Sequence, residues 1–411
     1  MKVLFFPTEV GLAHVTRSLA VAEAINFQGH EAIMAVPAFK HRLISNSPVE
    51  LVDIPAYTEK NDAQVVEAFL DVPLLKRMIQ AEMALIEKVQ PDVVVVDFRL
   101  SALIAAAALK KRLFVITGSG GLPEGCYLPN PGLPQPLHVL TTSMLKKIIW
   151  KLKQPYLNSI QAAADELQLA VNLNELFLKV TYIIPEIPSY LPAERKDLAL
   201  NYVGSLSWQG FNTPLPPELK DLRRTGQTIY ISFGGTGFDP RKLILLSNTL
   251  AKKGYQVVVS SSNIAQPTDF EHLPNLFVFP YLPGDEVARR MDAVVCHGGY
   301  GTMMQAIENL TPAIAIPFNP DQVLHSFRFQ ELGMVKSCLS FKWSLFRTLI
   351  TGDWAGFQNL GEQIDVEQVI TTVEKVLHSR EQYVEAAKRF KAMFLPEASS
   401  TLAARVILGE R

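Results

Sequence analysis

The chain has few cysteines, almost no net charge and no long apolar run, and each absence excludes a class of protein. Three cysteines with no Cys-x-x-Cys pair argue against a disulfide framework or a structural zinc site. A formal net charge of −1 gives no overall basic field, so we expect no nucleic-acid partner. No apolar run approaches the ~20 residues that a membrane-spanning helix needs. Pro7 and Glu9 interrupt the apolar start too early for a signal peptide, so we expect a cytoplasmic protein.

Three common catalytic motifs are also missing. The sequence contains no Gly-x-x-x-x-Gly-Lys loop, no His-Glu-x-x-His and no Gly-x-Ser-x-Gly. These absences argue against a P-loop nucleotidase, a zinc protease and a hydrolase with a serine elbow.

Strands and helices alternate along both halves of the chain. The apolar segments predicted as strands are Val3–Phe6, Glu31–Val36, Asp92–Val96 and Leu113–Thr117, followed later by Thr228–Phe233, Gln256–Ser260, Leu276–Phe279, Ala293–Val295 and Ala313–Ile316. Helices are predicted over Val15–Phe27, about Asn61–Val89 and Ser101–Leu109. This alternation is typical of an α/β fold with doubly wound parallel sheets, one in each half.

A stretch rich in proline and glycine, from about residue 185 to residue 226, separates the two halves. We therefore predict a first domain over residues 1–200, a connection over 201–226 and a second domain over 227–395. We leave open whether a terminal helix, 396–411, packs back on the first domain.

The run Cys296-His297-Gly298-Gly299-Tyr300-Gly301-Thr302 is the most informative motif. It joins the buried strand Ala293–Val295 to a helix over Thr302–Glu308. The unpaired N–H groups and the dipole of a helix N-terminus favour an anion, and His297 and Thr302 add side-chain donors. A diphosphate suits such a site. The alternative is that His297 caps the strand and the glycines only turn the chain.

The next strand, Pro312–Phe318, ends in Asn319-Pro320-Asp321-Gln322. Open α/β sheets bind ligands at the carboxyl ends of their strands, and a carboxylate beside an amide suits sugar hydroxyls. The two motifs together predict a nucleotide-sugar site.

These motifs resemble those of the UDP-glycosyltransferase-like enzymes of the GT-B fold, including bacterial natural-product glycosyltransferases. The matching positions are His297, Gly299, Gly301, Thr302, Pro312, Pro317, Asp321 and Gln322. The resemblance implies two Rossmann-like domains facing a cleft, with a nucleotide sugar bound by the second. Gln305 stands where many members have the Glu that binds ribose hydroxyls. We assign Gln305 to the donor site, and the departure leaves UDP and dTDP open as the nucleotide.

Two weaker matches fall on the donor side. The run Phe233-Gly234-Gly235-Thr236-Gly237 resembles the family's phosphate-contacting loop, which adds Gly234 and Thr236 to the site. The run Tyr281-Leu282-Pro283 resembles the segment that contacts the nucleobase, with Gly284 in place of the usual Gln. Tyr281 is equally compatible with a core aromatic.

The loop after the first strand carries His14, at the place where the family has its general base. Imidazole suits that task because its ordinary pKa lies near neutral pH. The resemblance implies that Asp97, which ends the strand Val93–Val96, pairs with His14. The structural alternatives are that His14 and Asp97 cap the helices that follow them.

The resemblance implies inversion at the anomeric carbon, with no cofactor beyond a UDP- or dTDP-sugar co-substrate. There is no Asp-x-Asp, the motif that binds the diphosphate through a metal in the other main glycosyltransferase fold. The apolar, proline-rich region 118–154 indicates a hydrophobic small-molecule or lipid acceptor. A nucleotide-sugar epimerase and a non-catalytic sugar-nucleotide or lipid carrier remain as alternatives.

Two features have no assigned role. An apolar stripe of Leu145, Ile148, Ile149 and Leu152, flanked by lysines, is compatible with peripheral membrane contact, although an ordinary core face is the commoner explanation. The aromatic-rich insertion 341–358 is compatible with an acceptor site or a dimer contact, and the oligomeric state is undetermined.

Overall fold

The computed structural model describes most of the chain. The described residues are 1–9, 12–58, 68–123, 125, 127–130, 135–193, 195–208, 214–220, 222, 226–234, 238–262, 264–338, 364–395 and 397–410. The side chains at 135–141, 143–145, 148, 152 and 320 are not included. Thr236, the insertion 341–358 and three of the four stripe side chains therefore lie outside the described part.

The chain divides into two compact units. The first contains residues 1–127, 149–211 and 395–411, and the second contains 128–148 and 212–394. These groups differ from the predicted domains at residues 128–148 and at the boundary after residue 200. The composition of a loop-rich stretch marks a connection only approximately, because short strands and returning segments depend on distant partners.

The first unit is built around a seven-stranded sheet in which every strand pair is parallel. Its strands are β1 (Lys2–Pro7), β2 (Glu31–Ala35), β3 (Glu50–Val52), β4 (Val93–Asp97), β5 (Arg112–Ile116), β6 (Thr181–Ile184) and β7 (Ala199–Tyr202). The spatial order is β3-β2-β1-β4-β5-β6-β7. The winding direction reverses between β1 and β4, so this pair forms the topological switch point where such sheets bind ligands.

Helices cover this sheet because its central strands are apolar on both faces. Val93, Val94, Val95 and Val96 of β4 are all buried, as expected for a parallel strand. The helices are α1 (Ala13–Phe27), α2 (Ala38–His41), α3 (Val72–Val89), α4 (Leu100–Ala108), α5 (Gln135–Glu166) and α6 (Leu173–Lys179), with a 3₁₀ turn over Ser119–Gly121. Helix α5 belongs to the first unit from Ile149 onward, and its earlier residues belong to the second. The predicted helix 61–89 is not continuous, because α3 starts a new helix at Val72 after the extended N-cap Asp71. Residues 61–67 lie outside the described part.

The terminal helix α13 (Ser399–Leu408) belongs to the core of the first unit. Ala403, Ala404 and Ile407 are fully buried in the same apolar cluster as Val15 and Leu19 of α1. Residues at the two ends of the sequence therefore share one core.

The second unit contains a six-stranded sheet, also parallel throughout. Its strands are β8 (Thr228–Ser232), β9 (Gln256–Ser260), β10 (Leu276–Phe279), β11 (Ala293–Cys296), β12 (Ala313–Ala315) and β13 (Val335–Ser337). The order β10-β9-β8-β11-β12-β13 reverses direction between β8 and β11. Its helices are α7 (Pro240–Lys252), α8 (Gly284–Ala288), α9 (Tyr300–Glu308), α10 (Pro320–Glu331), α11 (Val366–His378) and α12 (Arg380–Lys391), with 3₁₀ turns at Pro217–Leu219 and Pro267–Asp269.

The two sheets confirm the predicted α/β class. Each of the nine strands predicted from apolar runs is present to within two residues at either end. Strands β3, β6, β7 and β13 were not predicted. They are three or four residues long and lie toward the sheet edges, where the apolar pattern is weakest.

Candidate active site

His14 lies in the first turn of α1, directly after the loop that leaves β1. Strands β1 and β4 run parallel with Pro7 paired to Asp97, so both end at the same edge of the sheet. The imidazole Nδ1 of His14 lies 2.7 Å from Asp97 Oδ1. The switch point thus brings together two side chains that are 83 residues apart in the sequence.

The Asp97 carboxylate is buried and contacts Arg17 and Ser18 in addition to His14. Arg17 Nε donates to Oδ2 at 2.5 Å, Arg17 Nη2 donates to Oδ1, and Ser18 Oγ lies 3.4 Å from Oδ2. Burial alone would raise the pKa of Asp97, but the charges and hydrogen bonds of Arg17 and His14 outweigh it and lower that pKa. Asp97 is therefore a carboxylate at neutral pH. The sequence interpretation did not include Arg17, although it lies one helical turn after His14.

An aromatic wall, formed by Tyr57, Phe69 and Phe98, lies beside the His14 ring. The rings of Phe98 and His14 are stacked, with centroids 5.4 Å apart and planes inclined by 19°. Phe69 packs edge-on against Phe98 and is 4.9 Å from Tyr57. Phe98 is 50% exposed and has a φ of +53°, a left-handed conformation that is strained for a bulky residue. An exposed, strained aromatic next to a candidate base is more typical of a ligand contact than of the core.

A buried ion cluster connects segments that adjoin His14, Asp97 and Phe98 in the sequence. Arg99 is fully buried and donates to Glu82 Oε1 at 2.5 Å, to Glu9 Oε2 at 3.0 Å and to the Pro55 carbonyl at 2.6 Å. The Tyr57 backbone N–H donates to the other oxygen of Glu9. One buried cation therefore links the loops after β1, β3 and β4 to α3.

The protonation of this cluster follows from its burial. Burial raises the pKa of Glu82, and the opposing charge of Arg99 compensates only in part. Burial likewise raises the pKa of Tyr57, which stays neutral. Sequence interpretation missed the cluster, yet a signal was available. Glu82 occupies the apolar face of α3 together with Leu75, Met78, Ile79, Leu85 and Ile86.

In the second unit, two glycines enclose the ring of His297 at the switch point between β8 and β11. A Cβ atom built on Gly299 would lie 2.4 Å from His297 Nε2, and one built on Gly234 would lie 3.4 Å from Cε1. Gly234 also has a φ of +61°. A side chain at Gly299 would displace the ring, whereas Gly234 is favoured by its left-handed backbone.

Burial lowers the pKa of His297 to about 4, although the hydrogen bond to the Ser232 backbone acts in the opposite direction. The ring is therefore neutral at pH 7. Its edge is partly exposed, but the Nδ1 atom is buried and has no hydrogen-bond partner among the described residues. A buried ring nitrogen without a hydrogen-bond partner is costly.

Helix α9 begins directly after this turn and has no side-chain cap. Its N-cap is Gly299, so the N–H groups of the first turn remain available to an anion. Gly301 faces open space, and Thr302 is partly exposed. Gly298 was not singled out from sequence. Its φ is +80°, and a Cβ atom at this position would lie 2.3 Å from Ser326 Oγ, so the turn requires glycine there.

Asp321 and Gln322, at the start of α10, differ in environment. The Asp321 side chain is 74% exposed and lies 3.4 Å from His325 Nε2. Gln322 is buried, and its Oε1 accepts a hydrogen bond from the Phe318 backbone N–H at 3.0 Å. Gln322 thus fixes the turn at the end of β12, while Asp321 projects outward.

The residues predicted to contact the nucleoside lie on the turn before α8 and on α9. Tyr281 is 54% exposed, so it is not a core aromatic, and Leu282 is half-buried. A Cβ atom at Gly284 would lie 2.7 Å from Gln305 Oε1, so Gln305 occupies the space that a side chain at 284 would need. Both departures from the family pattern are therefore parts of one packing arrangement.

Two kinds of site are absent from the described part of the chain. It contains no group of three or more His, Cys, Asp or Glu side chains able to hold a metal ion. None of its helices is both long and apolar enough to cross a membrane.

Comparison with known proteins gives consistent matches. Residues 228–339 match the family described as Glycosyltransferase family 28 C-terminal domain. A PGL/p-HBAD biosynthesis glycosyltransferase of Mycobacterium tuberculosis (strain ATCC 25177 / H37Ra) is 24% identical, over 96% of this chain and 89% of the relative. A PGL/p-HBAD biosynthesis rhamnosyltransferase of Mycobacterium bovis (strain BCG / Pasteur 1173P2) is 25% identical, over 96% and 84%.

Solved structures share the fold over the full length. The calicheamicin glycosyltransferase CalG4 superposes with a TM-score of 0.68 at 18% identity, covering 99% of this chain and 98% of CalG4. The glycosyltransferase VinC, solved in complex with DTDP, gives 0.66 at 16% identity, covering 100% and 99%.

Two parallel α/β units with ligand-type side chains at both switch points define the class of a two-domain, Rossmann-like protein. The comparisons narrow this class: the chain is a glycosyltransferase of the GT-B fold. The resemblance inferred from the motifs is confirmed at that level.

The lowered pKa of His297 predicts a specific loss of stability in acid. The unfolded chain binds a proton at this ring below about pH 6.5, whereas the folded state does so only near pH 4. The stabilising contribution is therefore present above pH 6.5 and is lost as the pH falls toward 4. After a discount for the exposed ring edge, we expect about 1–2 kcal/mol to be lost between pH 7 and pH 5.

Urea unfolding of the wild type and of His297→Gln at both pH values would measure this effect. The variant should show a pH-dependent loss that is smaller by that amount. His272→Gln, which changes an exposed histidine of the same unit, should behave like the wild type. Equal pH dependence in the wild type and His297→Gln would contradict the prediction.

Proposed function

We propose that this chain is an inverting, metal-independent glycosyltransferase. It moves a sugar from a UDP- or dTDP-linked donor to a hydroxyl group of a hydrophobic small-molecule or lipid acceptor. The observation that carries this proposal is the 2.7 Å contact between His14 Nδ1 and the buried Asp97 carboxylate at a switch point of the first sheet. The names of the mycobacterial relatives and the DTDP complex of VinC support the same class of substrates.

His14 is proposed as the general base. The contact with Asp97 fixes a proton on Nδ1, so Nε2 carries a lone pair and has no described hydrogen-bond partner. Nε2 removes the proton of the acceptor hydroxyl while that oxygen attacks the anomeric carbon from the side opposite the diphosphate. The bond from the sugar to the diphosphate oxygen breaks, and the configuration is inverted. Asp97 stabilises the imidazolium that forms.

The diphosphate is proposed to bind at the start of α9. The N–H groups of the first turn of α9, the ring of His297 and the Thr302 hydroxyl would surround its negative charge. Gly234 leaves room for this arrangement, and Thr236 and Gly301 are included from the sequence motif. Fixed donors directed at the leaving group stabilise the charge that develops as the bond breaks.

The rest of the donor is assigned to the residues around this helix. Tyr281 and Leu282 contact the base, and Gln305 contacts the ribose. Asp321 binds sugar hydroxyls through its exposed carboxylate, whereas Gln322 acts mainly by holding the turn that positions Asp321.

The acceptor is proposed to lie against the aromatic wall. Phe98 is half-exposed and stacked on His14, so an apolar or flat acceptor that contacts its ring would have a hydroxyl group near Nε2. The acceptor then makes apolar contacts directly beside the base.

Thermal stabilisation by nucleotides tests the donor site. Without added metal, UDP or dTDP at a hundredfold excess over its Kd should raise the Tm by about 5–10 °C, because it binds only the folded state. His297→Gln should lose most of this shift, while His272→Gln should keep it. If UDP, dTDP and their glucose conjugates all fail to stabilise the wild type, the proposed donor class is wrong.

Turnover of donor and acceptor tests the base. His14→Ala and Asp97→Asn should each lower kcat by about 10²–10⁴-fold, the range for a lost general base, in the presence of EDTA. His30→Ala removes a histidine directly before β2 in the same unit and should retain wild-type kcat. Retained turnover in His14→Ala, or a complete loss of wild-type turnover with EDTA, would refute this mechanism.

Acceptor affinity tests the aromatic wall. Phe98→Ala should raise the KM of a hydrophobic acceptor about tenfold, with a smaller effect on kcat, and Phe98→Leu should be intermediate. The matched control is Phe27→Ala, because Phe27 of α1 is 94% exposed and remote from the wall in the contacts described. An unchanged KM in Phe98→Ala would exclude Phe98 from the acceptor site.

A further inference from the structure

Arg17 shares the carboxylate that orients the candidate base. It lies three residues after His14 on α1, so both side chains point to the same side of the helix. Its Nε and Nη2 atoms bond to the two oxygens of Asp97, the paired geometry that guanidinium groups form with carboxylates. The negative charge of Asp97 therefore interacts with Arg17 as well as with His14.

The same guanidinium also approaches the imidazole itself. Arg17 Nη2 lies 2.9 Å from His14 Nδ1, the nitrogen that is 2.7 Å from Asp97 Oδ1. Nδ1 cannot donate to Asp97 and accept from Arg17 at once. The short contact with a carboxylate requires the proton on Nδ1, so an N–H group of Arg17 faces an N–H group of His14. This contact is unfavourable and becomes more so when the ring is protonated.

The other buried charged groups of these segments contact one another. Glu9, from the loop after β1, and Glu82, from α3, both contact Arg99, and Tyr57 is neutral. Within the described residues, Arg17 and Asp97 are the charged side chains in direct contact with His14. These two charges therefore act on the ring directly.

We infer that Arg17 is a positioning residue that weakens the base formed by His14 and Asp97 and so favours acceptors with acidic hydroxyl groups. This inference rests on the proposed function. When His14 takes a proton, the group of three changes from net zero to net +1, whereas an isolated pair would change from −1 to zero. A nearby like charge disfavours protonation. A weaker base suits phenols better than aliphatic alcohols, because phenols have pKa values of about 10 and aliphatic alcohols are far less acidic.

A titration that needs no substrate tests the first part. The His14 ring signal, identified by its loss in His14→Gln, is followed by NMR in the wild type, Arg17→Met, Arg17→Lys and Arg77→Met. Its titration midpoint should rise by about one pH unit in Arg17→Met, a tenfold gain in proton affinity, and by less than half of that in Arg17→Lys. Arg77→Met, which changes an exposed arginine of α3, should match the wild type.

A midpoint that is unchanged or lower in Arg17→Met would overturn the inference. If that variant does not fold, Arg17→Gln replaces it, and Arg17→Lys supplies the variant that keeps the charge. This titration measures the effect of Arg17 on His14 even if the chain transfers no sugar. A negative result would therefore refute the inference without refuting the proposed function.

Kinetics test the second part. With the nucleotide sugar selected by thermal stabilisation, phenol and cyclohexanol serve as acceptors of similar size. The kcat/KM for phenol divided by the kcat/KM for cyclohexanol should fall about tenfold in Arg17→Met and recover in Arg17→Lys. Equal losses on both acceptors would leave Arg17 a purely structural role and refute the inference. Retained turnover in His14→Gln would instead show that the base itself is misassigned.

Discussion

The first unit depends on a buried cation. Arg99 has no exposed surface, and its guanidinium contacts Glu82, Glu9 and the Pro55 carbonyl. Removing one partner of such a group is costly because the remaining charge is left without compensation. Glu9 lies between β1 and α1, the helix that carries His14, and Asp97 and Phe98 directly precede Arg99. The ion cluster therefore constrains the loops after β1, β3 and β4, which adjoin the candidate acceptor site.

The same architectural rule produces the candidate site of each unit. In each sheet, the winding direction reverses between the first strand of the unit and the strand that carries the next motif. The loops after these two strands diverge to opposite faces, which leaves room for side chains and ligands at the carboxyl ends. His14 and Asp97 meet at one such point, and Gly234 and His297 meet at the other.

The two sites use burial in opposite ways. At Asp97, Arg17 and His14 hold a buried carboxylate in its charged form. Both side chains contact that carboxylate. At His297, burial without a strong charged partner favours the neutral ring and leaves one nitrogen unsatisfied. The first arrangement suits proton transfer, and the second keeps an uncharged ring beside the N-terminus of α9.

The sequence alone determined the α/β class, the central strands and the main motifs, because buried parallel strands are continuous apolar runs and glycine turns precede helices. Through the family resemblance it also indicated His14 and Asp97, which each follow a strand. It did not reveal the buried ion cluster, the fork of Arg17 on Asp97, the packing of Gln305 against Gly284, or the return of α13 to the first core. Each of these depends on contacts between residues distant in sequence or on the direction of a side chain from its helix. Strand register and helix packing fix those quantities, and only the tertiary structure supplies them.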